Sequence, residues 1–217
     1  MFAALKRIPI FQGLDETDCQ AVGSRAAIKS FRKNVVILSE GDRSHSLYVV
    51  LSGSVRVFLS DDAGKEVVLN IQGPGEFFGE LALIDDEPRS ASVMTLEPTT
   101  LAIISKADFQ ELIGHQPVIA IRLLRALSRR ARLLTTNVKS LALLDVYGRV
   151  AKLLLNMAVE RDGVLAIPTI LSQQEIANMV GASREMVSRI LKDLASGGFI
   201  KRDRRRIIVA ERPPARW

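Results

Sequence analysis

Between about Ile28 and Ile104 the apolar residues fall in short runs: NVVIL, SLYVVL, SVRVFL, EVVLNI, SVMTL and TLAII. Glycines break these runs at Gly41, Gly53, Gly64, Gly73/Gly75 and Gly79. Short segments rich in Val, Ile and Leu, with turns about 11 residues apart at first, predict a small β sandwich or barrel. One stretch departs from the pattern. GPGEFFGELALIDDEPRSAS, residues 73–92, combines a glycine-rich turn with one predicted helical turn. Ahead of the strands, a turn at Gln12-Gly13 opens a short helix predicted from Leu14 to about Ala27.

After Ile104 the period changes to that of a helix. Ser105 and Asp108 can cap a helix through Leu112, and Pro117 suits the first position of a much longer one. Along it Leu124, Leu127, Ala131, Leu134, Val138 and Leu141 recur in steps of three and four. Such a stripe is the seam of a two-stranded coiled coil, here a parallel pair formed with a second copy. Arg122, Arg125, Arg129 and Arg132 lie off the seam. The alternative is a helix whose apolar stripe packs on its own domain. Asp145 begins a further helix predicted to run through Glu160, ahead of Asp162-Gly163. The expected division is a domain over 1–115, a dimerisation helix and hinge over 116–144, and a second domain over 145–217, with the hinge at Leu143–Asp145.

Within the second domain, LSQQEIANMVGASREMVSRILKDLASGGFI (171–200) carries the clearest local signals. Ser172 and Glu175 form a capping box, Gly181 can take the positive φ that ends a helix, and Ser183 caps the next. On that second helix Val187, Ile190, Leu191 and Leu194 make the core face. Glu185, Ser188, Arg189 and Lys192 lie opposite, with Arg184 at the N-terminal edge. Two helices joined by a tight glycine turn, the second polar outside, predict a helix-turn-helix. GGFIKRDRRRIIVAE then reads as a hairpin with arginines at its tip, suited to phosphate as the wing of a winged helix. Glu185 and Arg189 could also be an ordinary surface i,i+4 pair. In DNA, arginine donates twice to guanine O6/N7 and glutamate accepts from cytosine N4.

Charge sharpens this picture. The 217 residues carry a net charge of +6. Residues 1–115 hold 11 Lys/Arg against 16 Asp/Glu, 116–144 hold six basic residues and no acid, and 145–217 hold 13 against eight. An acidic first half and a basic second half point to a polyanion bound by the second. With aromatics at 5%, duplex fits better than a stacking platform for single strands. At 47% hydrophobic residues the chain can build a buried core. Its apolar runs fall short of the roughly 20 residues needed to span a bilayer, and the apolar stretch in MFAALKRIPIF is too short for a secretory signal. The single Cys19, with His45 and His115 alone among histidines, excludes a four-cysteine or histidine-rich metal site supplied by one chain. A cytoplasmic protein is expected, with no metal and no membrane. Nothing in the spacing suggests an enzyme such as a nucleotide hydrolase: paired carboxylates, a nucleophile–base set and metal-ligand spacing are all missing, so no residue is assigned a catalytic role.

The order β-roll, long helix, helix-turn-helix resembles the cyclic AMP receptor protein / fumarate–nitrate regulator family of bacterial transcription factors over essentially the whole chain. QEIANMVGASREMVSRILKDL and LALLDVYGRVAKLLLNMA carry the resemblance most closely. It implies an α+β fold: an N-terminal cyclic-nucleotide-binding β-roll, a long dimerisation helix and a C-terminal winged helix-turn-helix. It also implies a homodimeric regulator, expected to be an activator, that is gated by cyclic AMP or a related cyclic nucleotide and binds double-stranded DNA and RNA polymerase. Gly79-Glu80-Leu81 and Arg89-Ser90-Ala91 match the Gly-Glu-Leu and Arg-Ser-Ala of the family's phosphate-binding cassette. By that match Arg89 would neutralise the cyclic phosphate, Ser90 would add a hydroxyl and Glu80 would accept from the ribose 2′-OH. Glu80 and Arg89 could instead simply pair with each other. Leu134 and Thr135 stand where the cyclic AMP-binding branch puts a Thr-Ser pair against adenine. Leu134 cannot hydrogen-bond adenine, so a regulator active without ligand, or one answering another nucleotide such as cyclic di-GMP, is the alternative. Arg130, next to the seam, is a candidate either to pair with Glu80 or to assist the ligand. On the DNA side the match gives Arg184, Glu185 and Arg189 base-reading roles on inverted TGTGA-like half-sites. Ser188 lies on the same outer face, and Ser172, Gln174 and Ser183 become candidate phosphate contacts, with Gln173 where relatives carry arginine.

Overall fold

The computed structural model describes residues 8–12, 20, 23–161, 163–167, 171–203 and 206–214, and divides into two compact units, 1–131 and 132–217. In the first unit the glycine-broken apolar runs become β1 (Ala27–Phe31), β2 (Val36–Leu38), β3 (Ser46–Ser52), β4 (Val55–Ser60), β5 (Glu66–Gln72) and β6 (Phe77–Phe78). A four-residue helix α1 (Leu81–Ile84) follows, then β7 (Ser92–Thr95) and β8 (Thr99–Ser105). They form two antiparallel four-stranded sheets, ordered β1-β8-β3-β6 and β2-β7-β4-β5. The interrupted stretch 73–92 therefore holds the predicted helical turn, with the two-residue β6 just ahead of it. Most of the helix predicted over Leu14–Ala27, and Cys19 with it, lies outside the described residues.

The ladder of β3 and β8 is buried on both faces, which is why SLYVVL and TLAII are nearly continuous apolar runs. Leu47, Val49, Ala102 and Ile104 pack on one side against Ile8, Ile10 and Phe11 and against two helices. Val50 and Leu101 pack on the other against Leu38, Val55 and Val93 of the second sheet. The helices are α2 (Lys106–His115) and α3 (Pro117–Leu143). Ser105 caps α2 by accepting from the Asp108 amide at 3.2 Å, and that helix runs three residues past the expected end.

Helix α3 carries two apolar faces rather than one. Ile119 and Leu123 are buried in the domain core, with Ala126 and Leu127 packed beside them. Leu127 is thus not a seam residue: it faces its own domain. Val118, Ile121 and Leu124 lie exposed on the other side, and Ala131, Leu134, Val138 and Leu141 are exposed further along the helix. The own-domain alternative holds for one face of the N-terminal half, and an exposed apolar stripe remains on the other.

The second unit packs α4 (Val146–Met157), α5 (Gln173–Val180) and α6 (Arg184–Ser196) over a sheet ordered β11-β12-β10-β9. The strands are β9 (Val159–Arg161), β10 (Val164–Ala166), β11 (Ile200–Asp203) and β12 (Arg206–Val209). Asp145 caps α4 by accepting from the Gly148 amide at 2.7 Å. The helix stops at Met157, short of the predicted Glu160, because Val159–Arg161 leaves it to pair with Val164–Ala166. Val150, Leu154, Ile176, Val187, Leu191 and Leu194 form the core. Leu194 is completely buried. Leu194→Ala is expected to cost about 2–5 kcal/mol in urea denaturation, the range for a leucine cavity that collapses only in part.

Candidate functional site

The predicted cassette folds around Arg89. Its backbone is fixed from both sides, the Arg89 amide donating to Asp42 O at 2.9 Å and the Gly41 amide to Arg89 O at 2.8 Å. Arg89 is only 3% exposed. It donates from Nε to Ser44 Oγ at 3.0 Å, from Nη1 to Gly79 O at 2.6 Å and from Nη2 to Ser46 O at 2.9 Å. Burial lowers its pKa, and Tyr48, Glu80 and Asp42 partly offset that shift. Gly79 is required here for two reasons. Its φ is +82°, and a Cβ would stand 2.5 Å from Arg89 Nη1 and 2.8 Å from Ser46 O. Tyr48 stacks on Phe78 with ring centroids 5.0 Å apart and lies beneath the guanidinium.

Glu80 is buried but does not pair with Arg89; that alternative is corrected by the geometry. Its Oε1 accepts from Arg130 Nη1 at 2.5 Å. Arg130 also donates from Nη2 to Phe77 O and lies over the Phe77 ring, 4.6 Å from its centroid. The suspected Glu80–Arg130 pair is therefore present. Of the other cassette positions, Leu81 and Ser90 are exposed and Ala91 is half-buried. Leu134 and Thr135 are exposed on α3 and belong to the second unit. A buried guanidinium beside a carboxylate with one engaged oxygen can meet an anion and a hydroxyl at once. Among the described residues three of the five Arg89 N–H groups are engaged, which leaves capacity for a bidentate oxyanion.

Ser44, Tyr48 and the Ser46 carbonyl were not anticipated. Neither was Gln72, 2% exposed on the inner side of β5. A glutamine at an inward strand position is the one signal the sequence offered. Among the described residues no group of three or more His, Cys, Asp or Glu is arranged to hold a metal, and no helix is long and apolar enough to cross a membrane.

In the second unit the predicted caps are all formed. Ser172 Oγ accepts from the Glu175 amide at 3.1 Å while Glu175 Oε2 accepts from the Ser172 amide at 2.6 Å. Gly181 is left-handed at φ +65°, and Ser183 Oγ accepts from the Met186 amide at 3.2 Å. Each serine accepts in its cap, so its O–H remains able to donate. Gln174 Nε2 donates to Asn178 Oδ1 at 2.7 Å and would have to turn to reach a phosphate. Val187, Ile190, Leu191 and Leu194 are buried on α6; Arg184, Glu185, Arg189 and Lys192 are exposed, and Ser188 is half-buried. Among the described residues no ion pair joins Glu185 to Arg189, so the simple surface-pair reading is not realised. Of the wing, Asp203 pairs with Arg206 in register and Arg206 is exposed, while Arg204 and Arg205 fall outside the described residues.

Arg149, also unanticipated, donates from Nε to Val180 O at 2.9 Å and from Nη1 to Leu144 O at 3.0 Å. It satisfies carbonyls where α5 ends and just past the end of α3, positions where cations are favoured.

Two family models match the chain: "Cyclic nucleotide-binding domain" over residues 28–116 and "Crp-like helix-turn-helix domain" over 148–213. The "CRP-like cAMP-activated global transcriptional regulator" of Mycobacterium tuberculosis is 34% identical over 211 residues, covering 95% of this chain and 94% of the relative. The "cAMP-activated global transcriptional regulator CRP" of Salmonella typhimurium is 35% identical over 190 residues, covering 86% and 90%. Among solved structures, the c-di-GMP responsive global regulator CLP of Xanthomonas campestris superposes with a TM-score of 0.79 at 28% identity, covering 91% of this chain and 100% of that one. The Catabolite Activator Protein of Thermus thermophilus gives 0.56 at 32%, covering 93% of each. With a β-roll that buries Arg89 and Glu80, a long helix and an intact helix-turn-helix, the chain belongs to the CRP/FNR family of transcriptional regulators, DNA-binding proteins with a cyclic nucleotide-binding domain and no enzymatic activity.

Proposed function

We propose that this chain is a homodimeric regulator whose affinity for inverted TGTGA-like half-sites is set by cyclic AMP bound in the β-roll. The observation that carries the reading is the buried Arg89 beside the Glu80–Arg130 pair. The cyclic phosphate takes the open donors of Arg89, with Ser90 adding a hydroxyl, and the ribose 2′-OH donates to the second oxygen of Glu80. Because Arg130 stands on α3, a change at Glu80 reaches the helix that carries the exposed stripe Ile121, Leu124, Ala131, Leu134, Val138 and Leu141. That stripe supports pairing with a second copy. Arg184, Glu185 and Arg189 read base edges, Ser188 flanks them, and Ser172, Gln174 and Ser183 hold phosphates. RNA polymerase is the expected protein partner, in the cytoplasm.

The second reading is a cyclic di-GMP effector, favoured by the exposed Leu134, which offers adenine no hydrogen bond. A ligand moves the equilibrium only by its differential affinity for two states. Fluorescence anisotropy of a labelled duplex at fixed salt tests both readings, since phosphate contacts make affinity steeply salt-dependent. Tightening by cyclic AMP at least tenfold is expected. Unchanged affinity at saturating cyclic AMP, with loosening by cyclic di-GMP, would replace the first reading with the second.

A further inference from the structure

Behind the Glu80–Arg130 pair lies a group with no role so far. Gln72 is the last residue of β5, opposite Val55, and only 2% of it is exposed. A buried amide is costly unless both its ends are bonded. With its amide nitrogen toward Phe77 O at 3.2 Å, its oxygen accepts from Arg130 Nη2 at 3.1 Å, and both ends are satisfied. Arg130 is thereby held from four sides: the Glu80 carboxylate, the Phe77 carbonyl, the Phe77 ring and the Gln72 amide.

We propose that Gln72 is a positioning residue for the hydroxyl-recognising end of the nucleotide pocket, acting through Arg130 to aim the free oxygen of Glu80 at the ribose 2′-OH. The inference rests on the pocket reading above. Arg130 can meet Glu80 end-on through Nη1 only while Nη2 has acceptors of its own. Phe77 O is one and Gln72 Oε1 is the other. Remove the amide and Nη2 keeps only Phe77 O, so the guanidinium is held less firmly and can turn both nitrogens to the carboxylate, engaging the oxygen that the ribose needs. A residue whose only task was to fill space would leave that choice untouched.

The test compares cyclic AMP with 2′-deoxy cyclic AMP by calorimetric titration of the full-length protein. The wild type is expected to prefer the ribonucleotide by at least tenfold. Gln72→Met keeps the length and most of the volume but neither bond. It is expected to weaken cyclic AMP binding about threefold to tenfold, the range for one hydrogen bond, and to bring the ribo/deoxy ratio to about threefold or less. Gln72→Leu also removes both bonds and should collapse the ratio in the same way, so it decides the question if the methionine variant does not fold. A folded variant that keeps the wild-type ratio overturns the inference. A wild type that binds neither nucleotide overturns the pocket reading itself, and the inference with it.

Discussion

Arg89→Leu is expected to abolish measurable cyclic AMP binding, weakening it by two to three orders of magnitude or more. The variant loses the only buried cation among the described residues, the guanidinium held against the Gly79 and Ser46 carbonyls. A phosphate entering that site would be desolvated without a charge partner, and breaking one side of such a buried pair costs about 3–5 kcal/mol. Arg89→Lys should recover little, since an ammonium has three donors on a flexible stem. It cannot span Ser44 Oγ, Gly79 O and Ser46 O while also meeting an anion in two places. Stability should fall as well: the Gly79 and Ser46 carbonyls lose their guanidinium donor, at about 1–3 kcal/mol for each one left unsatisfied. The two effects separate by experiment, with calorimetric titration reading the first and urea denaturation of the unliganded protein the second. Cyclic AMP binding within threefold of wild type by a folded Arg89→Leu would remove the phosphate role from this residue.

The parts that sequence reached and the parts it missed differ in range. Ser172, Glu175, Gly181 and Ser183 act on partners within a few residues, so their spacing alone determines two helices and the turn between them. The cassette was likewise found through Gly79, Glu80 and Arg89, which match a local pattern. Its back wall was not. Ser44 and the Ser46 carbonyl meet Arg89 across 45 and 43 residues, Tyr48 enters because β3 pairs with β6, and Gln72 enters through Arg130 on the distant α3. No local period marks such partners. The seam failed at Leu127 for another reason. Steps of three and four trace one stripe, but α3 has apolar residues on two faces, and only packing shows that Ile119, Leu123 and Leu127 turn to the domain while Ile121 and Leu124 do not. In α4, apolar spacing continued past Met157 although Val159 and Val164 belong to a hairpin; β-branched residues beside a glycine turn were the available warning.

Arg189→Ala should relax sequence specificity more than it weakens binding to DNA in general. Arg189 stands exposed on the outer face of α6, one turn beyond Glu185, and its side chain has no bonded partner among the described residues. A guanidinium held free by a packed helix is ready to donate twice to a guanine edge, a contact that contributes about 1–3 kcal/mol of discrimination. In a symmetric dimer the loss is taken at both half-sites, so affinity for an inverted TGTGA duplex should fall roughly 30-fold to about 20,000-fold. A random duplex of equal length should lose far less, because non-specific binding is carried by phosphate contacts. Arg206 provides the contrast. It is exposed where the β11–β12 hairpin turns, not on the reading helix. Arg206→Gln should therefore weaken specific and random duplexes alike and flatten the salt dependence by about one unit of slope for each subunit. Anisotropy titrations of both variants at several salt concentrations check the pair together. If Arg189→Ala lowered both affinities by the same factor, the side chain would be a phosphate contact, and base reading would have to rest on Arg184 and Glu185.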